Sequence, residues 1–183
     1  MKGIIFTELL AMAEESFGEE VVDHIIEASD LPSGGAYTTV GNYPCEELFI
    51  LIGGFSKLGG VPSDTVQRQF GHWMMQSFAR HYPQFFEGRQ GSLDMLEAIE
   101  DDIHVEVRKL YPDADLPKFE TRRDGVGSLD MIYRSPRPLA DFCHGLIEAC
   151  TDQFGETARI TRRDVPEDGQ TVATFRVDTG PNG

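Results

Sequence analysis

The sequence predicts an α+β fold that is mainly helical and carries a small four-stranded antiparallel sheet in its C-terminal part. Apolar residues recur at helical spacing over the first two thirds of the chain, whereas two hairpin patterns follow Pro117. The length of 183 residues, with 40% hydrophobic residues, suits one domain with a buried core. We expect a single domain over 1–180, divided into a helical subregion at 1–62 and a subregion with the sheet at 63–180.

Five helices are predicted before the sheet. Ser63 and Asp64 suit the N-terminal cap of the fourth helix, Gly53 and Gly54 weaken the third, and Pro112 ends the fifth because proline cannot continue a helix. The predicted ranges are 4–12, 21–28, 46–58, 65–81 and 92–111.

The C-terminal third predicts two hairpins with a helix between them. The turns contain Gly125 and Gly169, each after an Asp and between alternating stretches. The predicted strands are 118–123, 128–134, 158–163 and 172–177, and the helix is 139–154. Cys143 and Cys150 lie on the apolar arc of this helix and His144 points elsewhere, so a zinc site is not expected there.

The formal net charge of −15 disfavours nucleic acid and anionic membrane surfaces as partners, because both are bound through Lys and Arg. Residues 1–117 hold seven Lys and Arg against twenty Asp and Glu, whereas residues 118–183 hold nine against eleven. An anion is therefore expected to bind in the C-terminal third. No signal peptide or spanning segment is recognisable, and three cysteines without a CxxC pair suit reduced thiols, so a cytoplasmic location is expected.

Tyr133, Ser135 and Arg137 are hydrogen-bonding residues at every second position, with Pro136 and Pro138 between and after them. A proline favours an extended preceding residue, and alternate side chains of an extended chain share a face. The segment would then present a phenol, a hydroxyl and a guanidinium together, which suits a carboxylate or a phosphate. The same spacing is also typical of a surface strand that ends in a loop.

His104 lies on the buried side of the predicted helix 92–111. At ~100° per residue it falls within about 20° of Leu93. Glu100 falls in the same arc, so the face is not cleanly apolar. A lone buried His is commonly a satisfied core residue, and it is too few for zinc, which takes three or four protein ligands. One axial His suffices when a porphyrin supplies four nitrogens, and the two propionates of a heme would need an anion clamp.

Four segments of the sequence resemble one known family. They are Met1-Lys2-Gly3-Ile4-Ile5, Ile103-His104-Val105 with Pro117 thirteen residues after the histidine, Tyr133-x-Ser135-x-Arg137, and Gly145-Leu146-Ile147-Glu148. The family is that of the heme nitric oxide and oxygen binding (H-NOX) domains, which include the sensor region of soluble guanylate cyclase and bacterial stand-alone proteins. The resemblance extends from Met1 to about Val177.

The resemblance implies a heme b cofactor (iron protoporphyrin IX), buried between a distal subregion at 1–62 and a proximal subregion at 63–180. His104 would be the proximal iron ligand. The other implied contacts are Tyr133, Ser135 and Arg137 at the heme propionates, Ile5 and Pro117 pressing on the porphyrin, and Phe78 and Leu146 on the distal side.

The resemblance also bears on ligand choice. Its dioxygen-binding members share a distal Tyr on the helix after the clamp, and the matching position here is Phe142. Two supporting polar positions of those members match Leu9 and Met74, so an apolar distal pocket is expected. Ferrous dioxygen gains from a hydrogen-bond donor above the iron, whereas nitric oxide binds firmly without one. We therefore expect binding of nitric oxide and carbon monoxide without stable ferrous dioxygen.

An H-NOX domain implies signalling rather than catalysis. In this family nitric oxide weakens the iron–histidine bond, which would free the helix of His104 to shift. No output domain is recognisable in the chain, so a separate histidine kinase or cyclic-di-GMP enzyme is the partner implied by analogy. Two alternatives stay open. A heme enzyme such as a peroxidase or a nitric oxide dioxygenase usually needs a distal acid or base, and an apolar-ligand module without heme leaves Arg137 unexplained.

Overall fold

The computed structural model describes residues 1–180, and its elements follow one another in the predicted order. The helices are α1 Gly3–Phe17, α2 Glu19–Glu27, α3 Cys45–Gly59, α4 Ser63–His81, α5 Ser92–Ala98, α6 His104–Leu110 and α7 Ala140–Gln153. The strands are β1 Lys118–Arg123, β2 Ser128–Ser135, β3 Ala158–Glu167 and β4 Gln170–Thr179. The predicted α+β class is therefore confirmed. Within residues 1–180, no helix combines the length and the apolar character needed to cross a membrane.

The helix ends follow local sequence signals. Gly18 alone separates α1 from α2, and its φ of 87° is one that glycine adopts without strain. Helix α3 continues through Gly53 and Gly54, since its inner face packs into the core and offsets their low helix propensity.

The four strands form one antiparallel sheet in the order β1-β2-β4-β3. The β3–β4 hairpin turns at Gly169, whose φ is 69°. On β2, the alternate residues Met131, Tyr133 and Ser135 are buried, while the residues between them are only partly buried. This alternation confirms that Tyr133 and Ser135 share a face, which is directed to the interior.

Two hydrophobic cores meet along helices α4 and α7. The N-terminal core contains residues of α1, α2, α3 and α4, and the C-terminal core contains residues of α5, α7 and the sheet. On α7, Phe142 packs against the N-terminal core and Cys143 belongs to the C-terminal core. Helices α4 and α7 cross closely, because a Cβ atom on Gly71 would overlap the carbonyl oxygen of Phe142 and one on Gly145 would overlap that of Arg68.

The predicted continuous helix over 92–111 is wrong in one respect, since it is divided by a wide turn at Ile99–Ile103. In this turn the backbone N–H of His104 donates to the carbonyl oxygen of Ile99, five residues earlier, rather than four. Tertiary contacts stabilise the turn: the carboxylate of Glu100 accepts from β1, and that of Asp102 lies 2.6 Å from the Arg89 guanidinium. Such contacts leave no local signal in the helical periodicity.

Candidate functional site

A cavity of about 280 Å³ lies between the two cores and is lined mainly by apolar side chains. We call it the central cavity. Nine of the eleven predicted site residues line it: His104, Tyr133, Ser135, Arg137, Ile5, Pro117, Phe78, Leu146 and Phe142. The other two, Leu9 and Met74, are fully buried in the N-terminal core and are not among the residues that line the cavity.

His104 is the first residue of α6, directly after the wide turn, and it is one of the residues that line the central cavity. The residue is 8% exposed. Burial lowers the pKa of the imidazole, and the nearby Glu100 carboxylate only partly offsets this effect. The ring is therefore neutral at pH 7, with one nitrogen that donates and one that carries a lone pair.

Glu100 is the residue that holds His104, and the prediction of site residues missed this role. Its Oε2 lies 3.2 Å from Nδ1 of His104 and accepts from the backbone N–H of Phe119 at 3.1 Å, and its Oε1 accepts from Arg108 at 3.1 Å. Burial raises the pKa of this carboxyl, but Arg108 and the Phe119 amide together hold it below its usual value. The available signal was the spacing of four residues before His104 on a helix.

The predicted anion clamp is assembled where β2 ends. Tyr133 and Ser135 are each 3% exposed, and the backbone N–H of Arg137 donates to the hydroxyl of Ser135 at 3.1 Å. Burial raises the pKa of the Tyr133 phenol, so the group stays an O–H donor at neutral pH. The three residues line the cavity and supply hydrogen-bond donors for an anion.

Asp115 already pairs with this clamp and is a second residue that sequence reasoning missed. Its Oδ2 lies 2.6 Å from Nη2 of Arg137, and its backbone carbonyl oxygen accepts from Nη1 at 2.9 Å. The Asp115 side chain is 65% exposed, whereas that of Arg137 is 18% exposed. An incoming carboxylate would therefore have to replace the exposed Asp115 side chain as the partner of the Arg137 guanidinium.

The far side of the cavity is apolar around Phe142. The ring of Phe142 packs against Phe70 with 4.9 Å between ring centroids, and Leu146 and Phe78 line the same cavity. The Tyr82 phenol also lines the cavity, where its ring packs against Phe78 with centroids 6.3 Å apart. At the position of Phe142 itself, the side chain carries no hydrogen-bond donor.

His144 was predicted to point away from the buried arc of α7, and this prediction is wrong. The residue is 8% exposed and its ring packs edge-on against Phe175. Its Nε2 lies 3.2 Å from Nη2 of Arg68, which also pairs with Glu148. The close crossing of α4 and α7 brings this polar group inside, which a helical wheel of α7 alone does not predict.

The central cavity defines a class of site. It joins a neutral imidazole held by a carboxylate, a donor set for anions at one end, and apolar walls elsewhere. This combination fits a flat apolar cofactor that carries carboxylates and takes one axial protein ligand, which is the chemistry of a heme.

A family model described as Haem-NO-binding matches residues 2–162. The chain therefore belongs to the H-NOX family of heme-based gas sensors, whose cofactor is heme and whose members are sensors rather than enzymes.

Solved structures agree with this assignment. The chain is 38% identical to the H-NOX protein from K. algicida, solved in the Fe(II) unliganded form, with 100% of this chain and 98% of that chain covered and a TM-score of 0.91. An oxygen-binding H-NOX domain related to soluble guanylate cyclases, in its oxygen complex, is 21% identical, with 100% and 96% covered and a TM-score of 0.84. A mutant of the T. Tengcongensis H-NOX is 21% identical, with 100% and 98% covered and a TM-score of 0.87. The latter two support the fold alone. No curated protein matched the chain.

Proposed function

We propose that the chain senses nitric oxide, and also binds carbon monoxide, through a ferrous heme b held by His104. The observation that carries this proposal is that one cavity is lined both by Phe142 with its apolar neighbours and by a histidine that a carboxylate supports. When bound, the heme would supply a ferrous iron that binds a diatomic gas.

The chain's own residues divide the work of holding the heme. His104 would ligate the iron, since its Nδ1 pairs with Glu100 and its Nε2 retains a lone pair. Tyr133, Ser135 and Arg137 would bind the heme propionates, with Arg137 exchanging Asp115 for a propionate.

The remaining wall residues would shape the heme. Ile5 and Pro117 would press on the porphyrin, and Phe78 and Leu146 would line the face on which the gas binds. Leu9 and Met74 would act from behind this wall, as part of the N-terminal core. Because protein interiors are closely packed and have low compressibility, a change in size at either residue would be transmitted to the residues that line the cavity.

Ligand choice would follow from the missing donor at Phe142. Bound dioxygen carries partial negative charge and is stabilised by a hydrogen bond, whereas nitric oxide binds ferrous iron firmly without one. A wall of Phe142, Phe70 and Leu146 offers no such bond to either gas. We therefore propose that nitric oxide and carbon monoxide are bound and that a stable dioxygen complex is not formed.

Signalling would begin at His104. Its ring is tied through Glu100 to the first residues of β1, so a change in the position of the ring shifts α6 and the sheet edge together. If α6 and the sheet edge have two arrangements, a ligand that binds one of them more tightly shifts the equilibrium between the two. We propose that a separate effector reads this shift, either a histidine kinase or a cyclic-di-GMP enzyme.

The proposal is tested by the absorption spectrum of the purified, reduced protein with and without each gas. We expect a heme Soret band that shifts with nitric oxide and with carbon monoxide, and slow turnover of peroxide. Absence of a Soret band after heme is supplied would contradict the heme assignment. Rapid peroxide turnover would instead favour an enzyme.

A further inference from the structure

We propose that Glu100 is a positioning residue for His104, whose carboxylate sets the tautomer of the imidazole and the strength of its bond to the heme iron. This inference rests on the function proposed above and adds a residue that controls it. Its basis is the contact between Oε2 of Glu100 and Nδ1 of His104 at 3.2 Å.

The contact fixes which nitrogen of His104 can bind a metal. An ionised carboxylate only accepts hydrogen bonds, so Nδ1 must carry the proton that it shares with Glu100. In a neutral imidazole the other nitrogen, Nε2, then carries the lone pair. Among residues 1–180, no hydrogen-bond partner is found for Nε2 of His104, whose ring lines the cavity.

Glu100 is itself held in place, which separates it from an ordinary surface carboxylate. Its Oε1 accepts from Arg108 and its Oε2 from the Phe119 backbone N–H, each at 3.1 Å. Because the carboxylate contacts His104, Arg108 and the Phe119 backbone N–H, a rotation that moves it away from His104 would also break its other hydrogen bonds. Its side chain is 31% exposed, so solvent screens it only in part.

The wide turn before α6 makes Glu100 a link between two elements. His104 donates its backbone N–H to Ile99 in this turn, and Glu100 one residue later reaches both the His104 ring and the first residues of β1. Wide turns of this kind occur frequently at functional sites. Here the turn places the histidine and its carboxylate partner on one connection to the sheet.

The chemical consequence concerns the electron density on the imidazole. A hydrogen bond from Nδ1–H to a carboxylate raises the basicity of the ligating nitrogen and fixes the ring orientation, and loss of such partners typically costs ~10–100-fold in metal affinity. The proposal is that Glu100 strengthens the iron–histidine bond, lowers the heme midpoint potential and favours retention of His104 when nitric oxide binds opposite it.

The test compares Glu100→Gln with Glu106→Gln in the heme-loaded protein. Both variants remove one negative charge, but Glu106 pairs with Lys109 at 2.5 Å and its side chain is 47% exposed. For Glu100→Gln we expect a lower iron–histidine stretching frequency in resonance Raman spectra, a higher midpoint potential, ~10-fold faster heme loss and a smaller six-coordinate share of the nitric oxide complex. Glu106→Gln should match the wild type in all four.

A second variant keeps the proposal testable if Glu100→Gln does not fold. Arg108→Gln leaves Glu100 in place and removes its guanidinium partner, so the carboxylate attracts the His104 proton more strongly. The stretching frequency should then rise and the midpoint potential fall, opposite to Glu100→Gln. A merely structural role would shift both variants in the same direction.

The outcomes separate this inference from the function on which it rests. If the wild type takes up heme but Glu100→Gln changes neither the iron–histidine stretching frequency nor the midpoint potential, the role of Glu100 is overturned. The sensor proposal then stays intact. Equal shifts in Glu100→Gln and Glu106→Gln would show a general charge effect and also overturn it. A wild type that takes up no heme overturns both.

Discussion

The two sides of the central cavity differ in chemistry. On the His104 side, the Glu100 carboxylate contacts the imidazole and is itself held by Arg108. On the Phe142 side, packed aromatic and aliphatic residues line the cavity, and Phe142 is in contact with Phe70. The two sides therefore differ in what they present to a bound molecule: the first presents an imidazole held by a carboxylate, and at Phe142 the second presents no hydrogen-bond donor.

His104→Gly should have the largest effect, because it removes the only imidazole among the described residues that line the cavity. We expect loss of the iron–histidine band in resonance Raman spectra and loss of heme during purification, with partial restoration by added imidazole. His24→Gly, an exposed histidine on α2, is the matched control for a glycine in a helix. A His104→Gly protein with an unchanged iron–histidine band would show that another residue ligates the iron.

Arg137→Ala should weaken heme binding next, because a hydrogen bond to a charged group contributes about 1.5–3 kcal/mol, or roughly 10–150-fold in affinity. The measurement is the rate of heme transfer to an apoprotein acceptor. Among the three clamp residues, the loss of Arg137 should cost most, because its charged guanidinium can donate two parallel hydrogen bonds to one carboxylate, whereas Tyr133 and Ser135 each donate one. Arg122→Ala, whose side chain is 80% exposed in a surface ion pair with Asp130, should leave the rate unchanged. Equal rates in Arg137→Ala and the wild type would refute the clamp.

Phe142→Tyr should make the two sides of the cavity more alike by adding a donor to the apolar side. The ferrous protein in air should then form a longer-lived dioxygen complex, by about fivefold to tenfold for one hydrogen bond of about 1 kcal/mol. The lifetime is measured by absorption spectroscopy. Phe154→Tyr is the control, since Phe154 lies at the end of the same helix and packs against Phe86, with ring centroids 6.3 Å apart. A similar gain in both variants would contradict the role of Phe142.

Asp115→Asn should have the smallest effect and the opposite sign to Arg137→Ala. Removing the charge of an exposed carboxylate leaves Arg137 available to a propionate, and exposed ion pairs contribute about 0–1 kcal/mol. Heme affinity should rise by no more than about fivefold. Heme titration of the apoprotein measures this change. A marked fall in affinity would mean that Asp115 orients Arg137 rather than competes for it.

Local patterns in the sequence predict most of the fold. Alternating stretches on either side of turns at Gly125 and Gly169 predict the sheet, and helical periodicity predicts the helices. The wide turn at Ile99–Ile103 was missed, because bonds to β1 and Arg89 stabilise it. His144 was missed for the same reason, since its partner Arg68 is on another helix.

The candidate site divides in the same way. The residues in a motif, His104 and Tyr133 to Arg137, line the cavity as a set. Glu100 and Asp115 had no motif, and each is defined by a partner distant in sequence or across a turn. Leu9 and Met74, which were matched as single positions, are fully buried in the N-terminal core and do not line the cavity, whereas Phe142, matched in the same way, does. Sequence spacing therefore predicts side chains on one element better than contacts between elements.

The most direct test of the division between the two sides is the absorption spectrum of the ferrous heme protein in air, compared with the same sample under nitric oxide. We expect a stable nitric oxide complex and no persistent dioxygen complex, because Phe142 carries no hydrogen-bond donor. A ferrous dioxygen spectrum that persists in air would contradict it.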